Sequence, residues 1–192
     1  MSTRDPPPPA ALTARGEELL APIRALAPAL VDAVGILPSD RIGEIHAEPF
    51  GPLPIWDDGD FLDDIDDDYI TAVLDSAGAG VQSAFANVET RILGGAIARD
   101  PALPSAIGGR RAGFSLLIIG VDIPGVTSEA LRHDGPALID AVSKYSHGEI
   151  NFNWAGQPSV ANWQRLWSPE TAAKLAEVRA TYDPDRRFAF GH

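Results

Sequence analysis

Cysteine is absent from the 192 residues. That rules out disulfides, zinc–thiolate sites and a cysteine nucleophile within this chain. Basic residues are scarce: 15 Lys and Arg stand against 27 Asp and Glu, for a formal net charge of −12. Binding to phosphate backbones or anionic lipid needs a basic face, so neither nucleic acid nor a membrane surface is an expected partner. No apolar run is long enough to span a bilayer. The residues from Met1 to Pro9 lack the apolar core of a secretion signal, so a cytoplasmic location is the expectation. There is no Gly-x-Ser-x-Gly elbow for a serine nucleophile. Gly94-Gly95 and Gly108-Gly109 carry neither a Gly-x-Gly-x-x-Gly nor a Gly-Lys-Ser/Thr pattern, so no known glycine-rich loop holds a dinucleotide here. His46, His133, His147 and His192 are scattered and show no metal-ligand spacing, and no metal site is expected.

What remains is a chain with 45% hydrophobic residues, enough for a real core. Pro6 to Pro9 favour an extended conformation, so residues 1–12 read as a disordered proline-rich tail and 13–192 as a single domain. Thr13 to Leu26 reads as a helix with Leu19, Leu20, Ile23 and Leu26 on one stripe. Ala29 to Leu37 reads as a short strand, and Ser39 to Ile45 as a brief helix. Phe85 to Leu93 alternates as a strand does. Arg111 to Val121 is a second strand, apolar enough from Phe114 to Ile119 to lie centrally in a sheet. Thr127 to Tyr145 reads as a helix interrupted near Gly135-Pro136. Ile150 to Trp154 reads as a strand, and Val160 to Trp167 and Pro169 to Tyr182 as helices. In the last helix Leu175, Val178 and Tyr182 are expected to face the core. The order predicts an α+β fold: an antiparallel sheet with helices packed on one face.

Two clusters have chemical potential. Eight aspartates crowd Asp57 to Asp68. Their spacing does not match a calcium loop, and a solvated loop running into a helix N-terminus is the expectation. Asn87, Glu89 and Arg91 alternate on one strand face. Such a face lines a cavity or meets solvent; a Glu–Arg pair on it is either a base with an oxyanion partner or a structural ion pair.

Several segments resemble FAD-linked oxidases of the berberine-bridge-enzyme-like family. Leu20-Ala21-Pro22-Ile23-Arg24, then Val31-Asp32, resemble the stretch before the family's substrate-domain strands. Glu89-Thr90-Arg91 running into Leu93-Gly94-Gly95-Ala96 resembles its Glu-x-Arg strand, and Ala106 to Arg110 with Ala112 resembles the turn that opens its next long strand. Residues 148–192 resemble its C-terminal segment, through Asn151-Phe152, Arg165-Leu166 or Lys174-Leu175, Tyr182-Asp183-Pro184-Asp185 and Phe188. The resemblance implies the substrate domain of such an enzyme without its N-terminal FAD-binding domain, as in a truncated or split gene product. It implies FAD as cofactor, held mainly by a missing or partner domain, and hydride transfer from a small organic substrate to flavin. Glu89 and Arg91 would be catalytic, Asn87 and Phe114 would border the substrate, and Asn151 and Phe152 would lie near the flavin ring. The expected partner is a flavin-binding chain, or another copy of this chain through the exposed sheet face. A flavin-free module binding a small molecule or a protein is the alternative. The chain departs from the family pattern at Arg186, where asparagine is usual, at Gly191, where a polar side chain is frequent, and at Glu149, where a tyrosine sometimes stands.

Overall fold

A computed structural model of the chain describes residues 8–45, 51–103, 105–121, 127–156 and 159–188. The chain divides into two compact units, Met1–Gly51 and Pro52–His192.

The first unit holds helix α1 (Pro9–Arg24) and a 3-10 turn (Ser39–Ile45). Helix α1 begins inside the segment read as a disordered tail. Proline is tolerated in a first helical turn, where its missing N–H has no partner to lose, and Pro9 occupies that turn. No described residue of this unit is buried, and Leu19, Ile23 and Leu26 stay exposed. Residues 29–37 form no strand. Their β-branched residues suit a sheet, but no described residue of this unit lies in a strand that could supply the ladder. Arg24 instead ties the segment down, with its Nε 2.6 Å from Asp32 Oδ2. Among the described residues, all the buried core side chains belong to the second unit.

That unit is built on a three-stranded antiparallel sheet. Strands β1 (Ile55–Leu62), β2 (Phe85–Ile92) and β3 (Phe114–Val121) lie in the order β1-β3-β2. The apolar strand is central, as its composition requires. Helices α2 (Asp67–Ala77) and α3 (Ser128–Ala141) complete the layer whose buried residues cluster with Leu62, Leu116 and Ile118. Tyr69 of α2 and Leu131 and Leu138 of α3 join that cluster, as do Trp56 and Val142. Each fully buried aliphatic side chain contributes about 1.5–3 kcal/mol. Capping fixes both helix starts: Asp66 accepts from Tyr69 N at 3.0 Å, and Thr127 Oγ1 from Ala130 N at 3.1 Å. The α+β class with an antiparallel sheet and helices on one face is therefore what the chain adopts.

Four local expectations are corrected. The stretch from Asp57 to Asp60, read as a solvated loop, is strand β1, because Trp56, Phe61 and Leu62 bury themselves around the aspartates. Helix α3 passes through Gly135-Pro136 without a break. Residues 150–154 form no strand but a 3-10 turn (Phe152–Trp154). There Asn151 Oδ1 accepts from Asn153 N at 3.0 Å, a local bond that competes with a strand ladder. Helix α4 (Val160–Arg165) is followed by α5 (Pro169–Tyr182), which buries no residue; Val178 and Tyr182 face solvent.

Candidate functional site

The sheet face away from α2 and α3 carries the candidate site. In the register, Arg91, Ser115 and Phe61 form one row across it, and Glu89, Leu117 and Gly59 the next. Arg91 donates to both carboxylate oxygens of Glu89, through Nε to Oε1 and through Nη2 to Oε2 at 3.0 Å. A two-point pairing of this kind fixes the orientation of both groups. The hydrogen bond to Glu89 raises the Arg91 pKa above its usual value. The guanidinium also stacks on Trp154, 4.7 Å from the ring centroid. Gly59 makes room for this lid: a Cβ there would lie 2.5 Å from the Leu116 carbonyl oxygen and 3.2 Å from that of Trp154. Ser115 is 2% exposed, and its Oγ has no hydrogen-bond partner among the described residues.

A second polar group fastens the C-terminal segment to the sheet. The Phe61 N–H donates to the Glu149 carbonyl at 3.4 Å, and the His147 N–H to the Phe61 carbonyl at 2.8 Å. Asp60 is buried at 3% exposure and pairs with Arg165 Nη2 at 2.6 Å. The same guanidinium reaches Ser146 Oγ at 3.2 Å, and its Nε reaches the Gly148 carbonyl at 3.2 Å. Burial pushes the carboxyls of Asp57, Asp58 and Asp60 above the usual range. Arg165 opposes this at Asp60, and backbone N–H groups oppose it at all three. Glu149 Oε2 accepts from Gly109 N at 2.6 Å, joining the segment to the turn before β3. Gly109 has a φ of +70°, and a Cβ there would meet the Phe61 ring at 2.1 Å, so only glycine fits.

The structure brings together Glu89 and Arg91, with Asn87 exposed on the same strand face. Phe114 does not join them: it pairs with Ile92 on the opposite face and packs against the core cluster. Asn151 caps its turn, and Phe152 is 62% exposed. The Phe152 ring packs on Trp163 and Trp167, with centroids 6.5 and 6.4 Å away. His147 Nδ1 lies 2.5 Å from Asp63, and His133 Nδ1 lies 3.0 Å from Asp134. His46, His192 and Gly191 fall outside the described residues. Among the described residues no group of three or more His, Asp or Glu side chains is placed to hold a metal ion, and no helix is long and apolar enough to cross a membrane. The stacking of Trp154 on Arg91 and the Asp60–Arg165 tether were not foreseen. No apolar/polar alternation over Ile55 to Leu62 signals the strand that carries the tether.

No family model and no curated protein matches the chain in sequence. Solved structures do match in fold. 6-Hydroxy-D-nicotine oxidase from Arthrobacter nicotinovorans superposes with a TM-score of 0.65 at 19% identity, over 91% of this chain and 40% of its own length. Wild-type BBE-like 1 from Physcomitrella patens gives 0.54 at 15% identity, over 74% of this chain and 30% of its own. The chain thus shares a fold with part of these enzymes and spans less than half the length of either.

Proposed function

We propose that this chain is the substrate-side half of a FAD-dependent oxidoreductase, completed by a flavin-binding chain. The observation that carries this reading is the fold likeness to an oxidase across 91% of the chain. The described residues fit one edge of a flavin and not its pyrophosphate. Phe152 exposes an aromatic ring, and Asn151 stands beside it, whereas Gly94-Gly95 and Gly108-Gly109 lack a phosphate-binding pattern. FAD, when bound, supplies the acceptor for a hydride from a small organic substrate. The chain's own residues shape and polarise the substrate side. Arg91 holds the Glu89 carboxylate in one orientation, where it accepts a hydrogen bond or a proton from a substrate O–H or N–H. Trp154 covers the guanidinium and keeps water from one side of it.

The test is to capture the tagged chain from its own cells and record the spectrum of what comes with it. A bound partner with flavin absorbance is the expected result. A colourless chain that captures no flavoprotein would favour the flavin-free binding module instead.

A further inference from the structure

We infer that the cavity bounded by α4, α5 and the Phe152 turn binds a planar aromatic small molecule bearing a negative charge. Its volume is about 1010 Å³, large enough for a drug-sized ligand. One wall is aromatic: Phe152, Trp163 and Trp167 pack with centroids 6.1 to 6.5 Å apart. Leu175 extends the apolar surface. Ring faces of this kind suit a flat apolar guest.

Three charged residues line the same cavity: Arg179, Asp183 and Arg186. The Asp183 carboxylate is committed, since it accepts from the backbone N–H of Arg187 at 2.7 Å and of Phe188 at 3.2 Å. Arg179 donates to the Phe188 carbonyl at 3.0 Å. No described residue accepts from the Arg186 guanidinium. Arg186 also has a φ of +52° and is the one non-glycine residue with a positive φ among the described residues. This left-handed region favours glycine and asparagine and disfavours a long side chain. Nothing in the local turn calls for arginine there. A cation at the cavity rim accounts for it, as backbone strain at a binding site does elsewhere. On a chain of net charge −12, an aromatic cavity whose two arginines outnumber its one hydrogen-bonded aspartate selects an aromatic anion. The inference does not rest on the oxidoreductase reading.

The test is isothermal titration of the full chain with 2-naphthoate and with its uncharged analogue, 2-naphthamide. Saturable one-to-one binding is expected, with the anion tighter by about tenfold, as a charge-assisted hydrogen bond provides. Arg186→Asn places a residue suited to the left-handed turn, so the variant keeps its fold. It should bring 2-naphthoate down to the affinity of 2-naphthamide and leave the amide unchanged. Trp167→Ala should weaken both. Equal affinity for the two probes in the parent chain, no saturable binding of either, or an Arg186→Asn variant that still prefers the anion would overturn the inference.

Discussion

Individual side chains carry the chemistry, and two make predictions. Asp58 sits on β1 with its carboxyl pushed above the ordinary value of 3.8, by burial first and by the charges of Asp57 and Asp60 after that. A group whose folded pKa is raised binds protons more readily in the native state, so its contribution to stability grows as pH falls through that raised value. Asp66 works in the opposite sense, because the Tyr145 hydroxyl and the Tyr69 N–H lower its pKa. A difference between chains isolates Asp58. Asp58→Asn is expected to be more stable than the parent in urea at pH 7, with an advantage that shrinks as pH falls toward about 4. An advantage that grows on acidification would contradict the assignment. Glu89 belongs to the proposed reaction. In a reconstituted complex, Glu89→Gln should lower turnover by about 10²–10⁴-fold if it moves a proton; unchanged turnover would leave it as Arg91's structural partner. The Glu89–Arg91 pair was legible because alternation puts both side chains on one strand face. The face that Phe114 takes was not legible, because its strand is apolar on both faces and residue type alone does not say which face meets the helices.

Secondary-structure elements were readable where one face decided them. Strand β3 announced itself by a continuous apolar run, and α5 by Ser168-Pro169 at its start. Strand β1 was hidden because Asp57, Asp58 and Asp60 interrupt its apolar residues. It becomes a strand only through neighbours remote in sequence: β3 on one edge and residues 146–149 on the other. Residues 29–37 failed in the opposite way, having strand composition but no strand partner among the described residues of their own unit. The fit of α3 on the sheet is testable through Gly135. In an exposed helix, Gly→Ala stabilises by about 1 kcal/mol. Here the added Cβ would lie 1.9 Å from Trp56 Cη2. Gly135→Ala should therefore destabilise, by about 1–3 kcal/mol of overpacking, read as a lower urea midpoint at unchanged slope. A stabilised variant would show that Trp56 does not seat against α3.

At the scale of the whole molecule, the fold is shared with part of a larger oxidase, and the exposed apolar residues invite a covering surface. Ile92, Leu103 and Ile107 are all more than 60% exposed, and apolar residues of this kind can be covered by a partner. The proposed flavin-binding chain is such a cover. Its identity was not legible, because an apolar surface records that something packs there and not what. The most direct measurement is the visible spectrum of the purified chain mixed with the product of the neighbouring gene and passed over a sizing column. The account predicts one peak that contains both chains and carries flavin absorbance. Two separate peaks, or a joint peak with no flavin, would contradict it.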